Sequence, residues 1–323
     1  MTTDIDALLH GVQEGDRRTL ARAITLVESG RSTDLGPSLE LLNQLHSADA
    51  TKDSIRIGIT GVPGVGKSTF INAFGEYLIE QGLQVAVLAI DPTSTRSGGS
   101  ILGDKTRMEQ LSRNPQAFIR PTPGGLHPGG VARRTRDTIA LCEAAGFDVI
   151  LIETIGVGQS EVSVADIVDT VVLLALAGAG DDLQGIKRGI MELADVLVIH
   201  KADGDNELPS QAAATELASV INLLPRRFEA WQATVDTCSS RSGNGIPEVF
   251  SRIQEHRSAL GSETIADNRR EQALRGFDDT LRDLVISEFL HRPEIAQRRS
   301  DLQAKVRSGE LHPTAAAARL LTN

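Results

Sequence analysis

The stretch "IGITGVPGVGKSTF", residues 57–70, decides the fold. It opens as a β-branched run, passes through Gly61-x-x-x-x-Gly66-Lys67-Ser68, and continues with residues of helical character. In a strand–loop–helix setting, the backbone N–H groups of such a loop converge on phosphate oxygens. Its glycines let the chain approach them, and the helix N-terminus adds partial positive charge. Gly61, Val62, Pro63, Gly64, Val65 and Gly66, with Thr69 behind them, are therefore expected to enclose the phosphates of a nucleoside triphosphate. Lys67 is expected to meet the β- and γ-phosphates and Ser68 to offer its hydroxyl to Mg²⁺, which keeps most of its waters and takes few protein ligands. The plainer reading is a glycine-rich turn capping a helix; the complete pattern in this context argues against it.

Outward from this loop, short apolar runs alternate with helical segments from about Ser54 to about Gln254: "IRIGIT", "QVAVLAI", "FDVILIE", "TVVLLAL", "DVLVIH" and "ATVDTC". Continuous apolar runs separated by helices predict an α/β fold, a mainly parallel doubly wound sheet covered on both faces. Before it, Ile5, Leu8, Leu9 and Val12, then Leu20, Ile24 and Val27, then Leu35, Leu39 and Leu42 fall at helical spacing, with Asp4, Asp16 and Asp34 placed as N-caps. After Gly261 helical spacing returns, with Leu274, Phe277, Leu281 and Leu284 on one face and "SGELHP" as a turn between two later helices. The chain thus divides into an N-terminal helical extension (1–53), a P-loop domain (54–260) and a C-terminal helical arm (261–323). With aromatic residues at 3% of the chain, that arm has little means of forming its own core, and it is expected to dock on the main domain or on a second copy.

Composition bounds the partners. A length of 323 residues suffices for a full α/β core plus appendages. The formal net charge of -10 argues against nucleic acid, whose phosphates need a basic face. Cys142 and Cys238 stand far apart beside apolar stretches, which reads as a reducing, cytoplasmic setting without disulfides. The start "MTTDIDALLHG" reads as neither a signal peptide nor an anchor, and "TVVLLALAGAG" is too short to span a bilayer, so no membrane association is expected.

Further motifs specify the use of the nucleotide. In "AVLAIDPTSTRSGGSILGDKTRM", Asp91 ends a strand on the ligand-binding edge of the sheet, where a carboxylate can hold a Mg²⁺-bound or attacking water. The Ser/Thr/Gly-rich stretch from Pro92 to Gly103 suits a segment that orders around a γ-phosphate. Asp104, Lys105 and Arg107 follow it; on their own they read more simply as a solvated helix start with Asp104 as its cap. In "DVILIETIGVGQSE" a buried strand ends at Glu153, the usual place for a carboxylate toward Mg²⁺, and Gly156 can present its N–H to the γ-phosphate. Val157 stands where Ras-like GTPases carry a water-orienting glutamine, so intrinsic hydrolysis is expected to be slow, with Gln159 as a candidate substitute. In "VLVIHKADGD", Lys201 and Asp203 match a guanine-reading Lys-x-Asp, and Ser239 and Ser240 are further candidate nucleotide-binding residues. The residue before the lysine is His200, where such loops usually carry an asparagine that ties the loop to the phosphate loop and lies near guanine N7.

Taken with "GVPGVGKST", "IDPTSTRSGGSILGDKTRM", "GGVARRTRD", "IETIGVGQSE", "GAGDDLQGIKRGIMELAD" and "KADGDN", the chain resembles the MeaB (MeaB/MMAA, ArgK-like) family of G-protein chaperones over most of residues 55–205. The resemblance implies a P-loop NTPase fold of the SIMIBI class and Mg²⁺-dependent GTP hydrolysis to GDP. It also implies a homodimer and a partner, adenosylcobalamin-dependent methylmalonyl-CoA mutase or a related acyl-CoA mutase, whose cofactor loading is gated and which is protected from inactivation. By the same resemblance Asp91, Asp104 and Glu153 match the acidic residues around Mg²⁺ and the attacking water, and Ala177–Lys187 matches a mobile third switch. The sequence departs from the family at "PGGLHPGGVA" and at His200.

Two rival functions share the nucleotide chemistry. A metallochaperone GTPase needs a Cys/His cluster for its metal, and here His10, His46, His127, His200, His256, His291 and His312 are scattered, none at ligand spacing from a cysteine. An ATPase linked to amino-acid or organic-acid transport would act with a membrane complex, and Asp203 suits guanine better than adenine.

Overall fold

The β-branched runs form the middle layer of the molecule. In a computed structural model, which describes residues 4–29, 31–47, 53–91, 108–123, 128–154, 164–178 and 188–322, the strands are β1 (Ile55–Gly61), β2 (Val85–Asp91), β3 (Ala117–Pro123), β4 (Val149–Thr154), β5 (Thr170–Leu176), β6 (Val196–His200) and β7 (Thr234–Thr237). They make one seven-stranded sheet in the order β3-β2-β4-β1-β5-β6-β7, every neighbouring pair parallel. Only crossover connections can join parallel neighbours, and these carry helices onto both faces. On one face the N-terminal helices α1 (Ile5–Gln13), α2 (Arg17–Val27) and α3 (Ser32–Ser47) pack with Leu88, Ile150 and Ile152 of the sheet. On the other, Ile57 and Ile59 of β1, Val149 and Leu151 of β4 and Val196 and Val198 of β6 meet Phe70, Phe74 and Leu78 of α4 (Lys67–Glu80) and Leu111 of α5 (Glu109–Arg113). Helix α6 (Pro128–Ala144) joins the N-terminal helices on the first face. Ile190 of α7 (Arg188–Met191) and Ala213 and Leu217 of α8 (Glu207–Ile221) cover Leu173, Leu197 and Ile199 of β5 and β6. Gly58 faces Val164 and Val168 of the first-face core, and glycine is needed there because a Cβ would come within 2.4 Å of Val164 Cγ1.

Three expectations need correction. The strand β3, "AFIRPTP", is missing from the runs read in the sequence because Pro121 and Pro123 read as breakers; it lies at the sheet edge, where a missing N–H is tolerated. Asp4 and Asp16 do cap α1 and α2, accepting from the N–H groups of Ala7 and Thr19. Asp34 is no cap: α3 begins at Ser32, and the Asp34 carboxylate accepts from the Ser29 hydroxyl at 2.5 Å. The inward stripe of α3 is Ser38, Leu41 and Leu45, with Leu42 packed beside it, while Leu35 and Leu39 are exposed, because α1, α2 and α6 pack on the former side of the helix.

The chain separates into two compact units, Met1–Ala273 and Leu274–Asn323. The helical stretch α9 (Ile246–His291) is broken at Gly261, which has φ 70° and ψ 165°. Within the first unit the part after Gly261 is held by polar contacts. Arg269 clasps the buried Asp169 carboxylate with Nε at 2.8 Å and Nη2 at 2.7 Å, and Gln272 donates to the carbonyls of Ala165 and Val168. The second unit contains α10 (Pro293–Arg307) and α11 (Pro313–Leu321), each starting with proline at its N-terminus, where a missing N–H is harmless. Its residues Leu274, Phe277 and Leu281 are 60%, 64% and 48% exposed.

Candidate functional site

The phosphate loop bridges the end of β1 and the start of α4. Gly66 is the residue before the helix, at φ 97°, and it caps the helix with no side chain; first-turn N–H groups of a helix are the ones an anion can take up. Gly61 (φ 152°) is equally obligatory, since a Cβ would meet the Leu174 carbonyl at 2.5 Å. Lys67 Nζ lies over the loop, donating to the Gly61 carbonyl at 2.7 Å and the Val62 carbonyl at 3.3 Å. Ser68, one residue into the helix, donates its hydroxyl to Glu153 Oε1 at 2.9 Å. That contact follows from strand periodicity: Glu153 continues the alternation of Val149 and Leu151 on the α4 face of β4, and it is 4% exposed. A hydroxyl and a carboxylate beside the phosphate loop form an all-oxygen donor pair, the kind a hard cation such as Mg²⁺ prefers. Asp91 is the last residue of β2, two beyond Ala89, which is paired with Glu153. Asp104, Lys105, Arg107, Gly156, Val157, Gln159 and residues 179–187 lie outside the described residues, as does the Ser/Thr/Gly-rich stretch 92–103.

The loop after β6, which carries the Lys-x-Asp pattern, is tied to the phosphate loop twice. His200 is 2% exposed; its Nδ1 lies 2.7 Å from the Val65 carbonyl and its Nε2 2.7 Å from Ser240 Oγ. Burial, reinforced by the neighbouring Lys201 charge, pushes the imidazole below the usual histidine range, so the ring is neutral at physiological pH. The histidine therefore supplies the tie to the phosphate loop that an asparagine makes in the usual form of this motif. Lys201 adds the second tie, Nζ to the Gly64 carbonyl at 2.9 Å. Its backbone has φ 61°, the left-handed region, which costs a lysine about 1 kcal/mol or more and persists where the surroundings impose it. Here the Lys201 carbonyl is held by Asn206 Nδ2 at 2.8 Å and Ala202 N–H by the Cys238 carbonyl at 3.0 Å. Asp203 accepts from the Ser239 hydroxyl, whose oxygen in turn accepts from the N–H groups of Arg241 and Ser242.

The structure thus gathers Gly61 to Thr69, Glu153, His200 to Asp203, Ser239 and Ser240 at one edge of the sheet, around the loop that follows the central strand, the place where ligands bind in doubly wound folds. Asn206, the last residue of the "KADGDN" motif, has no role assigned from the sequence; in the structure it holds the Lys201 carbonyl.

A family model described as "Methylmalonyl Co-A mutase-associated GTPase MeaB" matches residues 20–294. The chain belongs to the MeaB family of GTPases. It is 50% identical over 318 residues to "Probable GTPase Rv1496" of Mycobacterium tuberculosis, covering 98% of this chain and 94% of that one. It is 44% identical over 326 residues to the mouse "Methylmalonic aciduria type A homolog, mitochondrial", covering 98% and 79%. A solved structure described as "Crystal structure of LAO/AO transport system kinase" superposes with a TM-score of 0.74 at 35% identity, covering 98% of this chain and 96% of that one. This MeaB-family protein is accordingly a P-loop enzyme that binds and hydrolyses GTP.

Proposed function

We propose that this MeaB-family GTPase is a chaperone of an adenosylcobalamin-dependent methylmalonyl-CoA mutase or a related acyl-CoA mutase, gating cofactor loading and protecting the mutase from inactivation. The observation that carries the reading is the match of residues 20–294 to a family described as mutase-associated. Within the site, the phosphate loop and Lys67 hold the β- and γ-phosphates, and Asp203 accepts from guanine N1–H and the exocyclic amine. Ser68, Glu153, Asp91 and Asp104 are the residues that would hold Mg²⁺. The Ser68–Glu153 pair at 2.9 Å fits that role because both offer hard oxygen donors. When bound, Mg²⁺ would offset the negative charge that grows on the phosphate oxygens. With Val157 unable to orient water, turnover by the isolated protein is slow and the partner accelerates it; the exposed apolar face at Leu274, Phe277 and Leu281 forms a homodimer.

Among the described residues no three His, Cys, Asp or Glu side chains cluster as a metal site, and no helix is long and apolar enough to cross a membrane. The solved relative, whose name refers to a transport system, keeps a transport-linked role as the alternative. Pull-downs from lysate with GDP and with a non-hydrolysable GTP analogue, followed by GTPase assays with the captured partner, separate the two. Capture of a cobalamin mutase that raises turnover, abolished by Lys67→Ala, supports the chaperone reading. Capture of a membrane transport complex, or a mutase without effect on rate, overturns it.

A further inference from the structure

The base site contains one side chain that fixes the loops and spends all its polar atoms in doing so. A neutral imidazole has one N–H and one lone pair. The Val65 carbonyl can only accept, so the Nδ1 that lies 2.7 Å from it carries the proton. Nε2 is then the lone-pair nitrogen, and it accepts from the Ser240 hydroxyl at 2.7 Å. The rest of the ring is confined as well. Cε1 lies 2.9 Å from the point a Cβ on Gly66 would occupy, and the ring meets Phe70 edge-on with centroids 6.0 Å apart. Turning the ring to free a nitrogen breaks one or both of these bonds.

An asparagine in this place behaves differently. Its carboxamide has two N–H donors, so one can serve the Val65 carbonyl while the second remains for an acceptor on the base. The histidine satisfies the loop and has nothing left over. We infer that His200 makes the base site indifferent to guanine N7, so that this protein reads guanine through its N1–H and exocyclic amine at Asp203 and not through the N7 edge of the purine. Asp203 can carry that load: a carboxylate offers about four lone-pair sites, and the Ser239 hydroxyl takes one of them. A neutral ring is required, since a protonated one would have a second N–H, and the burial of His200 keeps it so.

The inference rests on the proposal that residues 200–203 and 239–240 receive the base, and the test keeps the two apart. Calorimetric titration of the full chain with GDP, 7-deaza-GDP and ADP is run on the parent protein and on His200→Asn. Loss of one hydrogen bond to N7 would weaken binding roughly twofold to tenfold. The parent protein is expected to bind 7-deaza-GDP as tightly as GDP; a penalty of twofold or more overturns the inference. His200→Asn is expected to bind GDP as tightly as the parent or more so, and to gain a 7-deaza penalty of about threefold to tenfold. A variant that folds and still shows less than twofold removes His200 as the determinant. Should the variant fail to fold, the parent ratio alone decides. Equal affinity of the parent for GDP and ADP would instead sink the base-site proposal itself, whereas a clear GDP preference with a large 7-deaza penalty sinks only the role of His200.

Discussion

Glu153→Gln distinguishes a functional carboxylate from a structural one. Glu153 is 4% exposed at the end of β4 and accepts from Ser68 Oγ at 2.9 Å. Glutamine has nearly the same volume and keeps an acceptor oxygen for Ser68, but it carries no charge. A neutral amide costs less to bury than an ionised carboxylate, so the unfolding free energy should stay within about 1 kcal/mol of the parent value or rise. The nucleotide site should respond in the opposite sense. Loss of a charged group supporting a bound cation weakens metal affinity by about 10- to 100-fold, or about 1.4–2.7 kcal/mol at the usual 1.36 kcal/mol per decade. The assay is GDP affinity measured by calorimetry with Mg²⁺ and with EDTA, alongside urea unfolding. In the parent, Mg²⁺ should tighten GDP; in the variant most of that tightening should vanish while affinity in EDTA is retained. A fall in stability of about 3 kcal/mol or more, together with an unchanged Mg²⁺ dependence, would show that the charge serves the fold and refute the assignment.

Acid should destabilise the first unit through its buried histidines. His256 is 0% exposed, with Nδ1 2.9 Å from Thr170 Oγ1, Nε2 3.6 Å from Asp195 Oδ1 and the Phe228 and Trp231 rings against it; burial holds its pKa below the usual value. The unfolded chain takes up this proton from about pH 6.5 downward and the folded one only at lower pH, so stability present above about pH 6.5 is lost as pH falls toward the lowered pKa. His200 acts with the same sign. The urea midpoint should therefore drop between pH 7.5 and pH 5.5, and His256→Gln should flatten that slope; an unchanged slope refutes the role of His256. For assembly, the double variant Phe277→Glu/Leu281→Glu alters side chains 64% and 48% exposed, so it should change monomer stability by no more than about 0.5 kcal/mol per site. Light scattering should show half the parent mass, and a variant of unchanged dimeric mass places the interface elsewhere. Truncation at Gly261 is a poorer test, because it also removes Arg269 and Gln272, which clasp buried groups of the first unit.

What could be read from the sequence was local. A continuous β-branched run flanked by a glycine loop and a helix carries its own explanation, and the sheet and phosphate loop follow from such runs. The edge strand "AFIRPTP" was illegible because its prolines are compatible with a strand only at an edge, and edge position is a property of the whole sheet. The inward face of α3 is not legible in the sequence because Leu35 and Leu39 keep helical spacing as well as Leu41 and Leu45 do, and only the neighbouring helices select between the stripes. The loop after β6 shows the same limit. In the sequence His200 is an anomaly beside Lys-x-Asp, and Gly66 is a glycine explained by phosphate approach. In the fold each conditions the other: Gly66 adopts φ 97°, and its missing Cβ is also what admits the imidazole that reaches across 135 positions to the Val65 carbonyl. Gly66 is therefore constrained twice, by backbone conformation and by contact with His200. A change at position 200 can relieve only the second constraint, so a smaller side chain there would leave Gly66→Ala strained at its backbone still.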